Sequence, residues 1–240
     1  MSAFYHLIFF NPLYNALILL FWILPWADAG LIVVVLTIIV RLIIYPLSRK
    51  AILTQIKMAE VAPELQKIKE KYKSQEEQAR KTLELYKEKK VNPFSGIFVI
   101  IIQIPIILAL YQIFLHAGFP QVDSSILYSF IKVPENINAT FLGLINITQK
   151  SAILAFLAAL TTFIQLKISM SGQKTPKGSS FGDNLTRSMQ TQMKYFFPLL
   201  VFFISYKISG VIALYWLTTN LFTIVQELIV RKKFKLSPQV

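Results

Sequence analysis

Gly30-Leu31-Ile32-Val33-Val34-Val35-Leu36-Thr37-Ile38-Ile39-Val40-Arg41-Leu42-Ile43-Ile44-Tyr45-Pro46-Leu47 is apolar almost throughout, with one arginine near its end. A helix needs about 20 apolar residues to cross the hydrocarbon core of a bilayer, so the run reads as a membrane span. Four further runs have the same character: Phe94 to Leu115, Ala152 to Ile168, Tyr195 to Tyr206 and Val211 to Val230. The last two are parted by Ser209-Gly210, read as a tight reversal in which glycine supplies a positive φ. Composition agrees: 55% of the 240 residues are hydrophobic and 15% charged, unlike a soluble domain. The fold class expected is an all-α integral membrane protein with five spans.

Between the first two spans, Lys50 to Asn92 holds 11 Lys plus Arg and 7 Glu. Apolar residues recur there at Ile52, Ile56, Ala59, Leu65, Ile68 and Tyr72, then at Ala79, Leu83 and Tyr86, mostly three or four apart. That spacing gives two amphipathic helices, a hairpin broken near Lys73-Ser74. Ser74-Gln75-Glu76-Glu77 has the form of a capping box, and Pro63 is expected to bend the first helix or mark a restart. Arg49 with this segment carries 12 of the 25 Lys plus Arg, the Lys167 to Lys194 stretch five, and the tail Arg231, Lys232, Lys233, Lys235 four. Lys132, Lys150 and Lys207 are the cations on the opposite side. By the positive-inside rule the hairpin, the third-to-fourth loop and the C-terminus face the cytoplasm, and the Gly118 to Gln149 loop faces out.

Phe4 to Trp26 is apolar but has no Lys or Arg before it, so it lacks the first region of a cleavable secretory signal and reads as retained. It either lies along the outer interface, with Asn11, Pro12, Asn15, Trp22 and Trp26 near headgroup level, or crosses as a sixth span.

Arg41 lies 13 residues after Asp28 and nine before Lys50. That is about 20 Å and about 13 Å along a helix, well inside the membrane. A charge there costs at least about 2.5 to 3.5 kcal/mol on insertion scales. One reading has it snorkel to the inner headgroups or pair with Glu227, and the other sets it in a water-filled concavity open to the cytoplasm. Thr37, one turn before Arg41, supplies a polar group on the same span, and Gln103, Thr161, Gln165, Tyr215, Trp216, Thr219 and Asn220 supply polar groups on the other spans. Each is also explained by ordinary interhelical hydrogen bonds of about 0.6 to 2 kcal/mol.

No nucleophile with a histidine partner, carboxylate pair within a span, phosphate-binding glycine loop or metal-ligand cluster is legible in the sequence. There is no cysteine, and His6 and His116 have no evident ligand partners. A non-enzyme without cofactor or metal is expected. A small pore or transporter would use the same polar set but has neither an acidic ring nor an internal repeat in its support. A membrane-anchored ribosome receptor would use the basic hairpin and tail.

An ordered set of motifs resembles the YidC-type membrane protein insertases. It begins with Leu36 to Ser48 of the first span, then Ala62-Pro63-Glu64-Leu65-Gln66 and Lys69-Glu70-Lys71-Tyr72. It continues with Leu85-Tyr86-Lys87, Val91-Asn92-Pro93, Gln103-Ile104-Pro105-Ile106, Ala109-Leu110-Tyr111 and Phe163-Ile164-Gln165-Leu166-Lys167. Leu214-Tyr215-Trp216 with Asn220-Leu221 closes the series. The chain departs from the pattern at Phe94-Ser95-Gly96, at Val99, and at Tyr206-Lys207-Ile208-Ser209-Gly210.

The resemblance implies a short form without a large outer domain. Residues 1–27 are then an outer-face interfacial helix, 28–49 the first span, and 50–92 the cytoplasmic helical hairpin. The second span is 93–116, the outer loop 117–149, the third span 150–168 and the cytoplasmic loop 169–193. The last spans are 194–208 and 211–230, and 231–240 is a basic cytoplasmic tail. It further implies a hydrophilic groove lined by Arg41, Thr37, Gln103, Gln165, Tyr215, Trp216 and Asn220, which receives nascent membrane proteins and releases their helices into the bilayer. The implied partners are the lipid bilayer, the ribosome and a Sec-type translocon, with no small-molecule substrate, and the implied location is the bacterial cell membrane.

Overall fold

The computed structural model describes residues 3–72, 74–92, 95–115, 121–171, 188 and 191–236. Lys73, Phe94, His116, most of the third-to-fourth loop and the last four residues lie outside them, as do the expectations made there.

The chain forms α1 (Ala3–Ile23), α2 (Ala29–Ile43), α3 (Tyr45–Lys71), α4 (Gln75–Glu88) and α5 (Ser95–Leu115). A two-stranded hairpin follows, β1 (Thr140–Phe141) and β2 (Ile145–Asn146), then α6 (Ala152–Ser169), α7 (Phe197–Ile208) and α8 (Gly210–Leu236). π-helical turns occur at His6–Phe10 within α1 and at Gln192–Phe196 before α7. Three helices, α1, α6 and α8, are each long and apolar enough to cross a membrane, or four such segments if the bent α2–α3 pair counts as one. α5 contributes the apolar stretch Gln103–Phe114, and α7 is shorter than a span, with 12 residues.

α8 is the central element, packed against α2, α3, α5, α6 and α7. Val211, Ile212, Ala213, Leu214 and Tyr215 are buried at its start and join Leu17, Ile18, Ile32, Val33, Leu110 and Ile113 in one core. Large apolar side chains point outward on every apolar helix, among them Ile39 and Leu42, Ile104 and Leu108, Phe156 and Leu160, Leu199 and Phe203, Leu221 and Val225. Exposed apolar faces of this extent are the surface of a protein solvated by lipid.

The chain turns by 65° between α2 and α3. The break falls at Ile44, earlier than the expected junction between residues 49 and 50. Pro46 is the cause, since proline fits the first turn of a new helix but not the interior of an old one. α3 then runs through Pro63 as one helix, so of the bend or restart expected there the restart does not occur. α3 and α4 fold back on each other over Val61, Leu85 and Val91, with Lys89 Nζ 2.9 Å from Glu64. The Ser74 capping box does not form: Ser74 precedes α4 but its side chain makes no cap bond. Gln78 Nε2 instead donates to the Tyr72 carbonyl at 2.6 Å and closes the end of α3.

α1 touches the loop-side end of the bundle at three points. Tyr5 donates to Gln112 near the end of α5 (3.0 Å), and the Tyr14 hydroxyl accepts from Asp123 N (2.7 Å). Asn15 donates to the Ile126 carbonyl (3.0 Å) and accepts from Tyr128 N (2.7 Å). A helix of 21 residues is about 30 Å long, so one running beside the spans would hold only one end near this loop. Asn15 is buried in these bonds rather than available to headgroups, whereas Trp22 and Trp26 are exposed.

Two glycines set close approaches. A Cβ on Gly30 would overlap the Phe141 ring, which seats the β hairpin on the start of α2. The reversal into α8 does not use a positive φ: Ser209 is extended, at φ −168° and ψ 165°, and Gly210 opens the helix. A Cβ on Gly210 would lie 3.1 Å from the Ile147 backbone, because Gly210 N and Val211 N donate to Gln149 O (2.7 Å) and Ile147 O (2.9 Å). Gly210 serves close contact there, not a special conformation, since a larger residue would have to push the Ile147 backbone back.

Candidate functional site: a buried arginine on a polar chain

Arg41 sits in the last turn of α2 and is 7% exposed. Its Nη2 donates to Gln103 Oε1 on α5 at 2.8 Å. Gln103 Nε2 in turn donates to the Tyr215 hydroxyl on α8. Three helices thus meet through one chain of polar groups, Arg41–Gln103–Tyr215. Among the described residues no carboxylate pairs with Arg41. A guanidinium offers five N–H donors, and the bond to Gln103 accounts for one.

Thr37, one turn before Arg41, is buried and donates to Val33 O of its own helix at 2.6 Å. Trp216, next to Tyr215, is half-buried against the core. These five residues lie on α2, α5 and the start of α8.

Gln165 and Asn220 make their hydrogen bonds to other partners. Asn220 donates to Thr162 Oγ1 (2.7 Å), Thr161 Oγ1 (3.2 Å) and Ala158 O (3.2 Å), which ties α8 to α6. Gln165 donates to Ser169 Oγ at 2.9 Å, and Ser169 donates to the Glu227 carboxylate. Glu227, 1% exposed, is not the partner of Arg41. Its Oε1 accepts from Arg231 Nε (2.9 Å) and Nη2 (2.8 Å). Arg231 also donates to the carbonyls of Ser169 (3.0 Å) and Ser171 (3.3 Å), closing the end of α6. A fourth tie lies beside the bend. Gln226 Nε2 donates to Ser48 Oγ (2.7 Å) and Tyr45 O (3.3 Å) and joins α8 to α3.

The sequence reading missed Ser48, Ser169 and Gln226 and counted Arg231 only as a tail cation. The Glu227–Arg231 spacing of i, i+4 was the available signal for that pair. Nothing local marks Ser48 or Gln226, whose bond spans 178 positions.

Buried polar groups satisfied between helices, inside a surface of exposed apolar side chains, define a multi-pass helical membrane protein. The particular family follows from comparison with known proteins. The family model described as "60Kd inner membrane protein" matches residues 21–237, and the chain belongs to that family. It is similar to "Membrane protein insertase YidC" of Fusobacterium nucleatum subsp. nucleatum, at 32% identity over 205 residues, which covers 85% of this chain and 86% of that one. It is similar to "Membrane protein insertase YidC 2" of Listeria innocua, at 29% over 226 residues, covering 89% and 70%. The protein named "Membrane protein insertase YidC" of Oceanobacillus iheyensis is 31% identical over 209 residues, covering 85% and 74%.

Proposed function

We propose that this chain is a membrane protein insertase, in which Arg41 is the charge of a hydrophilic groove open to the cytoplasm and inner leaflet. The observation that carries the groove is the state of Arg41: buried at membrane depth, bonded to Gln103, and without a carboxylate partner among the described residues. Such a cation is stable at that depth when water or a bound anionic segment serves its remaining donors. Gln103 holds the guanidinium and is itself held by Tyr215, while Thr37 lies one turn before Arg41 on α2 and Trp216 follows Tyr215 on α8.

In this reading α2, α5, α6, α7 and α8 form the transmembrane core. The α3–α4 hairpin and the tail are cytoplasmic, and α1 lies on the outer face. The contacts of Tyr5, Tyr14 and Asn15 with a single end of the bundle support the last placement. A nascent chain enters with a short hydrophilic segment in the groove while its apolar helix partitions into lipid along the core. The groove lowers the barrier of several kcal/mol for taking unpaired polar groups into hydrocarbon. Partitioning, and membrane potential for charged segments, drives the step. The ribosome and a Sec-type translocon are the partners this role brings, the basic hairpin being the surface that meets them.

The test is insertion of a single-span protein into liposomes with and without this chain, alongside conductance in planar bilayers. Chain-dependent insertion with negligible current is expected, and steady current without insertion would overturn the proposal. Because the chain has no cysteine, single cysteines report topology without background. Glu135→Cys should label from outside and Ser74→Cys only after permeabilisation.

A further inference from the structure

The β1–β2 hairpin carries an apolar tip that the insertase reading does not use. Phe141 faces inward onto Gly30, and Ile145 and Ile147 pack against or within the core. Between them Leu142 and Leu144 point away from the protein, 64% and 82% exposed. Leu142 has φ +51° and Gly143 φ +71°, and Leu144 N donates to Phe141 O at 2.9 Å. Two successive left-handed residues in a tight turn normally read Asn-Gly or Gly-Gly. A leucine in that conformation is uncommon. The tip is therefore an apolar side chain held outward against conformational preference, in a turn whose base is fixed.

The hairpin is anchored at the level of the α2 N-terminus. Asp28 caps α2 through Leu31 N (2.9 Å), and its other carboxylate oxygen accepts from Leu142 N (3.0 Å). Ala29 N donates to Asn138 O at 2.8 Å. Trp26, two residues before Asp28, is 74% exposed, and Trp22 is 58% exposed. α2 has 15 residues, a length of about 22 Å at roughly 1.5 Å per residue. The hydrocarbon core is about 30 Å thick, so the apolar belt needs extension beyond the ends of this helix. Ile153 and Phe156 continue an exposed apolar face down α6 from the same end. Lys150 and Lys207 are exposed cations beside the Gln149–Gly210 contact, positioned to reach lipid phosphates.

We propose that Leu142 and Leu144 are an interfacial anchor, a rigid finger seated in the headgroup–acyl boundary of the leaflet on the loop side and continuous with Trp22 and Trp26. Its ligand is bilayer lipid. The finger fixes the depth of the loop between α5 and α6 and, through Asp28 and Gly30, the depth at which α2 begins.

The experiment uses the full chain with one introduced cysteine carrying an environment-sensitive fluorophore, reconstituted in phosphatidylglycerol/phosphatidylethanolamine liposomes. Leu144→Cys is the main site and Leu142→Cys the second, with Phe156→Cys as the lipid reference and exposed Glu135→Cys as the aqueous one. At residue 144 the proposal expects blue-shifted emission and iodide quenching several-fold weaker than at residue 135. It also expects a nitroxide near the headgroup end of the acyl chain to quench more strongly than one near the methyl end. Emission and iodide quenching equal to those at residue 135 would overturn it, leaving the leucines in water for a protein partner. Stronger quenching by the deep nitroxide would overturn the boundary depth. The readout does not require the insertase reading to hold, because it measures depth and not insertion.

Discussion

Two arginines of this chain lie in or beside the membrane and are treated in opposite ways. Arg231 is answered by an opposite charge: two of its nitrogens meet the Glu227 carboxylate, and it donates to the carbonyls that end α6. Arg41 is more buried, 7% exposed, yet meets a neutral amide. A buried pair with its hydrogen bonds complete has its charge answered within the fold, whereas a buried charge answered by one amide keeps donors for something that arrives. Under the proposed function this difference separates a structural charge from one that serves a client, and net charge or position in the sequence does not reveal it.

The comparison breaks first at Arg231. Arg231→Ala leaves Glu227 buried without its cation, a loss that typically amounts to about 3 to 5 kcal/mol. Folded protein in the membrane should fall sharply, whereas truncation from Lys232 onward should leave both level and insertion nearly unchanged. Quantitative immunoblotting of membrane fractions distinguishes the two, and equal levels would deny Arg231 its structural role. The cut therefore belongs after Arg231 and not before it.

A smaller effect is expected at Asn220, which bonds α8 to α6 but carries no charge. Asn220→Ala should cost about 0.6 to 2 kcal/mol, the range of interhelical hydrogen bonds in membranes. Thermal unfolding in detergent should show a modest decrease, with insertion of acidic and neutral clients reduced alike. A loss confined to acidic clients would move Asn220 into the Arg41 network.

Gln103→Leu should leave protein level close to normal and lower insertion partway, because it frees the Arg41 guanidinium and the Tyr215 hydroxyl without removing either. The smallest effect belongs to Arg41→Lys. A cation in a wet groove acts through charge more than through fork geometry, so most insertion should remain. A loss as large as that of an uncharged replacement would instead make the fork essential.

The membrane class was legible because apolar runs announce themselves without tertiary information, and the family because its motifs keep their order from Leu36 to Leu221. The amphipathic period likewise announced the helices of Lys50 to Asn92. Other features depended on contacts made far along the chain. In the sequence Gly210 reads as a conformational glycine, but in the fold the Ile147 backbone lies against it. Ser74 had the pattern of a cap, but Gln78 reached back to Tyr72 and closed the turn another way. The polar residues of the spans looked like one set because sequence gives depth without rotation. The packed helices divide them into the Arg41–Gln103–Tyr215 chain, the Asn220 tie and the Glu227 clamp. The bend at Ile44 was written in Pro46 but hidden by the unbroken hydropathy around it.

The central claim is that Arg41 serves a client rather than the fold. Its most direct test measures membrane level and insertion of Arg41→Ala with two clients that differ only in the charge of the translocated segment. The account predicts a near-normal level, insertion of the acidic-segment client reduced several-fold, and a much smaller loss for the neutral one. Loss of the protein itself, or equal loss for both clients at normal level, would contradict it.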